Sequence, residues 1–175
     1  MTTIREVYDR TLAGGLRADA SAGADPFAIV RTADAQGAKG IPAAVEAVWR
    51  LVGGGGAGGL WWPGATTDVV DLDAEIKELA LEALDTADGN LRDPKGLLVL
   101  LCREAVEFHV VEGSDLALPD PPVWRIVRDE PVERRWAAVT EWFAEAARGV
   151  LDHRDALRRE IAEGGAEPTA RYFDL

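Results

Sequence analysis

"GLLVLLCREAVEFHVVEG", residues 96–113, breaks with the periodicity of everything before it. Upstream, apolar residues recur every three or four positions. Here a continuous apolar run, "GLLVLLC", leads into "AVEFHVV", where Val106, Phe108 and Val110 alternate with Glu107 and His109. A third run, "PPVWRIVRD" at 121–129, follows after a proline- and aspartate-rich connection. Short segments rich in Val, Leu, Phe and Trp with polar turns between them read as consecutive antiparallel strands, so segments 96–102, 105–112 and 122–128 are expected to form one sheet. The alternation predicts one face on the core and one face, with Glu107 and His109, in water.

Outward from the strands the period is helical. "TIREVYDRTLAGGL" places Ile4, Val7, Tyr8 and Leu12 on one face and stops at Gly14-Gly15. "ASAGADPFAIVRTADAQGAKG" reads as a loop around a short apolar element at Phe27 to Val30 of no assigned type. Pro42 opens a helix over 42–52, with Ile41, Val45, Val48, Trp49 and Val52 on one stripe. "GLWWPG" and "TTDVVDL" read as short extended pieces, and a helix capped by Asp73 follows, with Ile76, Leu79, Ala80, Ala83 and Leu84 at core spacing and "DGN" as its end. Beyond the strands, Pro131 opens a long helix through 132–147, carrying Trp136, Val139, Thr140, Phe143, Ala146 and Ala147 on a stripe, with Gly149 dividing it from "DHRDALRREIAEG". The fold class expected is α+β: a single, largely antiparallel sheet flanked by N-terminal helices, one inserted helix and a long C-terminal helix. Residues 1–165 form one domain and 166–175 a loosely held tail.

At 175 residues and 47% hydrophobic content the chain can bury one substantial core. Its 31 acidic and 19 basic residues leave a formal charge of −12, which repels phosphate backbones and makes nucleic acid a poor ligand and a basic protein a good one. "MTTIREVYDRT" has no apolar run of signal-peptide length, and "GLLVLLC" is too short to cross a bilayer, so no membrane association and a cytoplasmic location are expected. The lone Cys102 agrees with a reducing compartment.

Candidates for chemistry fall away on inspection. Gly53, Gly55 and Gly58 fit a GxGxxG spacing, but that fingerprint must follow a strand and open a helix, and here a helix precedes the glycines. No Gly-Lys-Ser/Thr supplies a P-loop either, so the glycines are read as a turn of the chain. Cys102 at the end of an apolar strand behaves as a small hydrophobe. His109 and His153 lack partners at metal-ligand spacing, and Ser21 and Ser114 sit in loops outside any G-x-S-x-G turn. No catalytic residue, metal or cofactor is therefore assigned.

Two surface features remain. From Asp68 to Asp88 there are eight acids and one lysine, Lys77; Asp71 and Asp73 lead into a helix on which Glu75, Glu78, Glu82 and Asp85 lie opposite the apolar stripe. This strip is either a solvated face or a docking surface for a basic partner. Of the six tryptophans, Trp49, Trp124, Trp136 and Trp142 fit core positions. Trp61 and Trp62 are adjacent, and neighbours on a strand point to opposite faces, so one of the pair is expected outside as an interface anchor or buried beneath the glycine loop.

The order of segments resembles the SUKH superfamily, a group that includes cell-wall regulators and bacterial immunity proteins. "GIPAAVEAVWRLVGGGGAGGL" is similar to that family's proline-started helix running into a glycine turn, and "DLDAEIKELALEAL" to its helix after the first strand. "GLLVLLCREAVEFHVVEG" resembles its central strand pair, "DPPVWRIV" its Pro-Pro-Val strand, and "VTEWFAEAA" its closing helix. The resemblance implies a non-catalytic binding protein, in particular an immunity protein that neutralises a bacterial toxin, with nucleases a fitting class because their grooves are basic. The site residues expected on this reading are Asp71, Asp73, Glu75, Glu78, Glu82, Asp85, Trp61 and Trp62. A regulator or scaffold of the same fold is the alternative, and an enzyme acting on a small molecule a third reading that a deep cavity with convergent polar groups would favour.

Overall fold

The apolar run that breaks the helical period becomes the first strand, at one edge of a four-stranded meander. A computed structural model describes residues 2–55, 57–165 and 167–175. β1 (Leu98–Arg103) pairs antiparallel with β2 (Glu107–Val111), β2 with β3 (Val123–Val127) and β3 with β4 (Glu133–Trp136), giving the order β1-β2-β3-β4. Leu97 to Leu101, Phe108, Val110, Val123 and Ile126 are all buried, as a sheet covered on both sides requires. β2 and β3 fall within the expected segments 105–112 and 122–128, and β1 overruns the expected 96–102 by one residue, Arg103. β4 falls in none of them: residues 133–136 were expected at the start of a helix, but Pro131 starts no helix there, and the chain pairs Trp124 with Arg134 before turning. Trp136 is a core residue as expected, though on a strand.

The helices are α1 (Ile4–Ala13), α2 (Pro26–Ala35), α3 (Ala43–Val52), α4 (Ala74–Thr86) and α5 (Val139–Ala162). Local chemistry sets three of their starts. Thr3 and Glu6 form a reciprocal capping box on α1, Asp25 caps α2 ahead of Pro26, and the Asp73 carboxylate accepts from the Glu75 and Ile76 amides to start α4. The element at Phe27 to Val30 is thus part of α2. α5 runs for 24 residues without a break, so Gly149 does not divide it. α1, α3 and α5 pack together, and α4 lies against β1, β2 and β3. Among the described residues no helix is long and apolar enough to cross a membrane.

The edge of β1 is closed by side chains and by a loop, not by another strand. Gln36, 2% exposed, receives the Val99 N–H (2.7 Å) on its carbonyl and donates its amide to the Val99 and Leu72 carbonyls (3.2 and 2.8 Å). Further along, Thr66 and Cys102 exchange both backbone hydrogen bonds. An open strand edge would template pairing with another chain, and these contacts remove it.

The glycine run serves close approach. The Gly54 amide donates to Ala22 (2.9 Å), and a side chain on Gly54 would collide with the backbone of Gly23, while one on Gly23 would collide with Arg50. Gly56, at the middle of the run, lies outside the described residues. The following "GLWWPG" is a 3₁₀ turn over Ala57–Leu60 and a bend, not a strand. The expected loose tail is docked: Arg17 donates to Tyr172 (2.9 Å), Asp174 donates to Gly15 (2.8 Å), and the Phe173 ring is buried. Ala166, where that tail begins, is outside the described residues.

Candidate functional site

Register across three strands assembles a row of charges that spacing along any one strand does not show. Arg103 on β1 faces Glu107 on β2, and His109 on β2 faces Arg125 on β3, so all four share one face of the sheet. This is the face expected in water. His109 is instead 5% exposed, because Trp142 of α5 and Trp136 of β4 close over it. The Trp142 indole N–H donates to His109 Nδ1 (2.9 Å), which leaves Nε2 to carry the proton and donate to Glu107 Oε1 (2.9 Å). The imidazole is therefore held as one neutral tautomer with both nitrogens engaged.

The electrostatics follow from that arrangement. Burial pushes His109 below its ordinary 6.5, against the pull of Glu107, because an imidazolium there would be desolvated and would lose the Trp142 bond. The His109 N–H, together with Arg125, holds the Glu107 carboxyl down at about 2. Both shifts act in one direction on stability. A lowered His109 value contributes stability that is present above about pH 6.5 and lost as the pH falls below it; the lowered Glu107 value contributes stability present above about 4.5 and lost between there and about 2. With the Glu107 side chain 17% exposed, its share is about 2 kcal/mol after solvent screening. The unfolding midpoint is thus expected to fall steadily on acidification from pH 6.5, and Glu107→Gln to flatten the part below pH 4.5. An unaltered acid limb in urea titrations of that variant would contradict the assignment.

Above this row stands a cavity of about 520 Å³ walled by Trp62, Trp136 and Trp142. Trp62 stacks on Trp142 (centroids 4.4 Å apart), and the Trp136 indole N–H donates to Glu145 at the rim (2.9 Å). Arg135 lies over the Trp136 ring at 5.4 Å. Trp61 and Trp62 are both buried, at 2% and 7% exposure, so neither projects as an anchor. Of the two alternatives, an exposed anchor or burial, the structure shows burial of both; the segment is a bend and not a strand, so the two rings are free to turn the same way. Trp61 stacks between Tyr8 and Phe143 and donates to Ser21 Oγ (2.9 Å). Glu107 and His109 were visible in the sequence as a polar face, but Arg103, Arg125, Arg135 and Glu145 were missed, since only the cross-strand register and the turn into β4 bring them together.

The acidic strip is a separate surface. Asp71, Asp73, Glu75, Glu78, Glu82 and Asp85 are all exposed, and none forms an ion pair among the described residues. Lys77, the one cation in the segment, is buried and donates to the Gln36 carbonyl; burial lowers its pKa. Asp73 is occupied as the cap of α4. Under the glycine run the Asp68 carboxylate stands against Gly55, so that hollow repels a phosphate. Cys102 is buried, and burial raises its thiol pKa. His153, exposed on α5, bonds Thr169 (3.1 Å). No group of three or more metal-ligating side chains gathers among the described residues. Comparison of the chain with protein-family models, with characterised proteins and with solved structures finds no match.

Proposed function

We propose that the chain is a non-catalytic binding protein that docks a basic protein partner through the exposed acidic face of α4. The observation that supports this reading is the uncompensated state of its carboxylates. Elsewhere most pairs are local: Arg50 holds Glu46 at 2.6 Å and Arg154 holds Asp155 at 2.6 Å. Among the described residues no cation meets Glu75, Glu78, Glu82 or Asp85 on α4, and the lysine of that helix points inward. Stability does not explain such a face. Like charges three and four residues apart repel by a few tenths of a kcal/mol each, and Asp85 sits in the last turn, where the helix dipole favours cations. A concentrated negative field that weakens its own helix fits a surface kept for steering a basic partner.

As an immunity protein, the role that the resemblance implies, it would hold a toxin domain inactive in the cytoplasm of the producing cell by covering a basic groove. The test is the double variant Glu82→Lys/Asp85→Lys, measured against a toxin-like product of an adjacent gene. Placing cations at the C-terminal end of α4 is expected to stabilise the fold by about 0.5 kcal/mol while slowing association about tenfold at low salt. A more stable protein that binds worse is the signature of a docking face. Full protection of co-expressing cells with an unchanged association rate would overturn the proposal.

A further inference from the structure

We propose that the tryptophan-walled cavity over the sheet is a binding site for a small organic monocarboxylate, distinct from the acidic face of α4. The guanidiniums at the cavity carry the argument. Arg103, Arg125 and Arg135 line it with Glu107 and Glu145 and a neutral His109, while Glu130 and Glu133, which also approach Arg125 and Arg135 at 3.4 and 3.7 Å, are exposed and lie outside the lining. Those guanidiniums are also loosely held. Arg103 and Arg125 both approach Glu107 at 3.4 Å, from the strands on either side of β2, and Arg135 lies 3.7 Å from Glu133 and 3.9 Å from Glu145. Surface pairs of the same protein close to 2.6 Å and 2.9 Å, the normal length of a charge-assisted bond.

One donor has no partner at all. Arg103 Nε is buried without a hydrogen bond among the described residues, an arrangement that is unfavourable until an acceptor arrives. A guanidinium fork matches a carboxylate in shape as well as charge. One unpartnered guanidinium donor offers a place for a single carboxylate, and the Glu107 and Glu145 carboxylates in the same lining oppose a second negative charge. The indoles of Trp62, Trp136 and Trp142, none more than 7% exposed, form a rigid apolar wall for the ligand's body, and about 520 Å³ suits a molecule of roughly ten heavy atoms.

The experiment is calorimetric titration of the full chain with benzoate and with benzamide, its neutral counterpart of the same shape. Benzoate is expected to bind saturably and about tenfold or more tightly than benzamide, the difference of one charge-assisted interaction. Arg103→Gln and Arg135→Gln are each expected to weaken benzoate about fivefold, and Glu145→Gln to strengthen it, since the amide still accepts the Trp136 N–H while a repelling charge is gone. Should Arg103→Gln fail to fold, Arg135→Gln decides, as that side chain is 44% exposed and its position over the Trp136 ring is a weak contact at an exposed site. Equal affinities for benzoate and benzamide, no saturable binding up to about 10 mM, or benzoate affinity unmoved in folded arginine variants would overturn the assignment. Tighter binding of inorganic phosphate than of benzoate would overturn the monocarboxylate class.

Discussion

Trp61→Ala is expected to lower the free energy of unfolding by about 4 kcal/mol, read as a shift of the urea midpoint. The ring is 2% exposed and sandwiched between Tyr8 of α1 at 5.9 Å and Phe143 of α5 at 4.7 Å, so its removal opens a hole between two helices that otherwise pack directly. It also strands the Ser21 hydroxyl, which the indole N–H now engages. Because both neighbours are anchored on packed helices, the site collapses poorly, and poorly relaxing sites sit at the upper end of the range for such truncations. Trp61→Phe separates the contributions: it keeps the stacking and gives up the hydrogen bond and part of the volume, and is expected to cost about half as much. Against a typical total of about 5–15 kcal/mol, the alanine variant stands near the threshold of folding, so weakened partner binding by it would report unfolding and not a lost contact. A change below about 1 kcal/mol would show that the ring is not wedged as described.

Gln36→Leu is expected to cost about 3 kcal/mol although it preserves volume and adds apolar surface. The amide of Gln36 does the work of a missing neighbouring strand, pairing with both backbone groups of Val99 at the place where the β1–β2 register shifts, and it also serves Leu72. Leucine fills the same space and satisfies none of them, and each buried group left without a partner is unfavourable by about 1–3 kcal/mol. Thr32→Val is the scaled control. It removes one bond, from the Thr32 hydroxyl to the Val69 carbonyl at 2.6 Å, and is expected to cost about 1 kcal/mol. Hydrogen exchange adds a local readout: the Val99 amide should lose protection in Gln36→Leu more than the other β1 amides. Uniform loss along β1, or none, would contradict the edge-closing role of the side chain.

The toxin-binding and carboxylate-binding proposals concern two separate surfaces, and their tests are independent. The α4 variants leave the cavity untouched, and none of the six strip residues lines it. The guanidinium variants likewise leave α4 unchanged.

Local chemistry was sufficient for much of the architecture. The apolar run at 97–102 and the alternation at 106–110 specified strands, because a continuous apolar segment of that length bounded by turn residues has few other solutions. Asp73 specified the start of α4, and the charge strip followed from helical spacing alone, since an exposed helix face is decided by its own periodicity. What failed were segments whose conformation is set by neighbours distant in the chain. "ERRW" at 133–136 is polar at three of four positions and continues into a helical pattern, and it becomes β4 only because β3 offers an unpaired edge. The β1–β2 turn is equally silent: Glu104 and Ala105 take positive φ (52° and 54°) where glycine or asparagine would have announced it, and the register of the hairpin carries the strain.

The candidate site marks the same division. Its constituents were in plain view, Glu107 and His109 as a polar strand face, Trp142 and Trp136 as core residues. Sequence fixes which face of β2 a side chain takes, but not what lies above it. Trp142 arrives over His109 from a helix 33 residues further along, and the Arg103–Glu107–His109–Arg125 row exists only when three strands are in register. An alternating strand says that one face is apolar and the other polar; whether the polar face meets water or a wall of indoles is a question of tertiary packing, because burial is a property of the assembled layers and not of the segment.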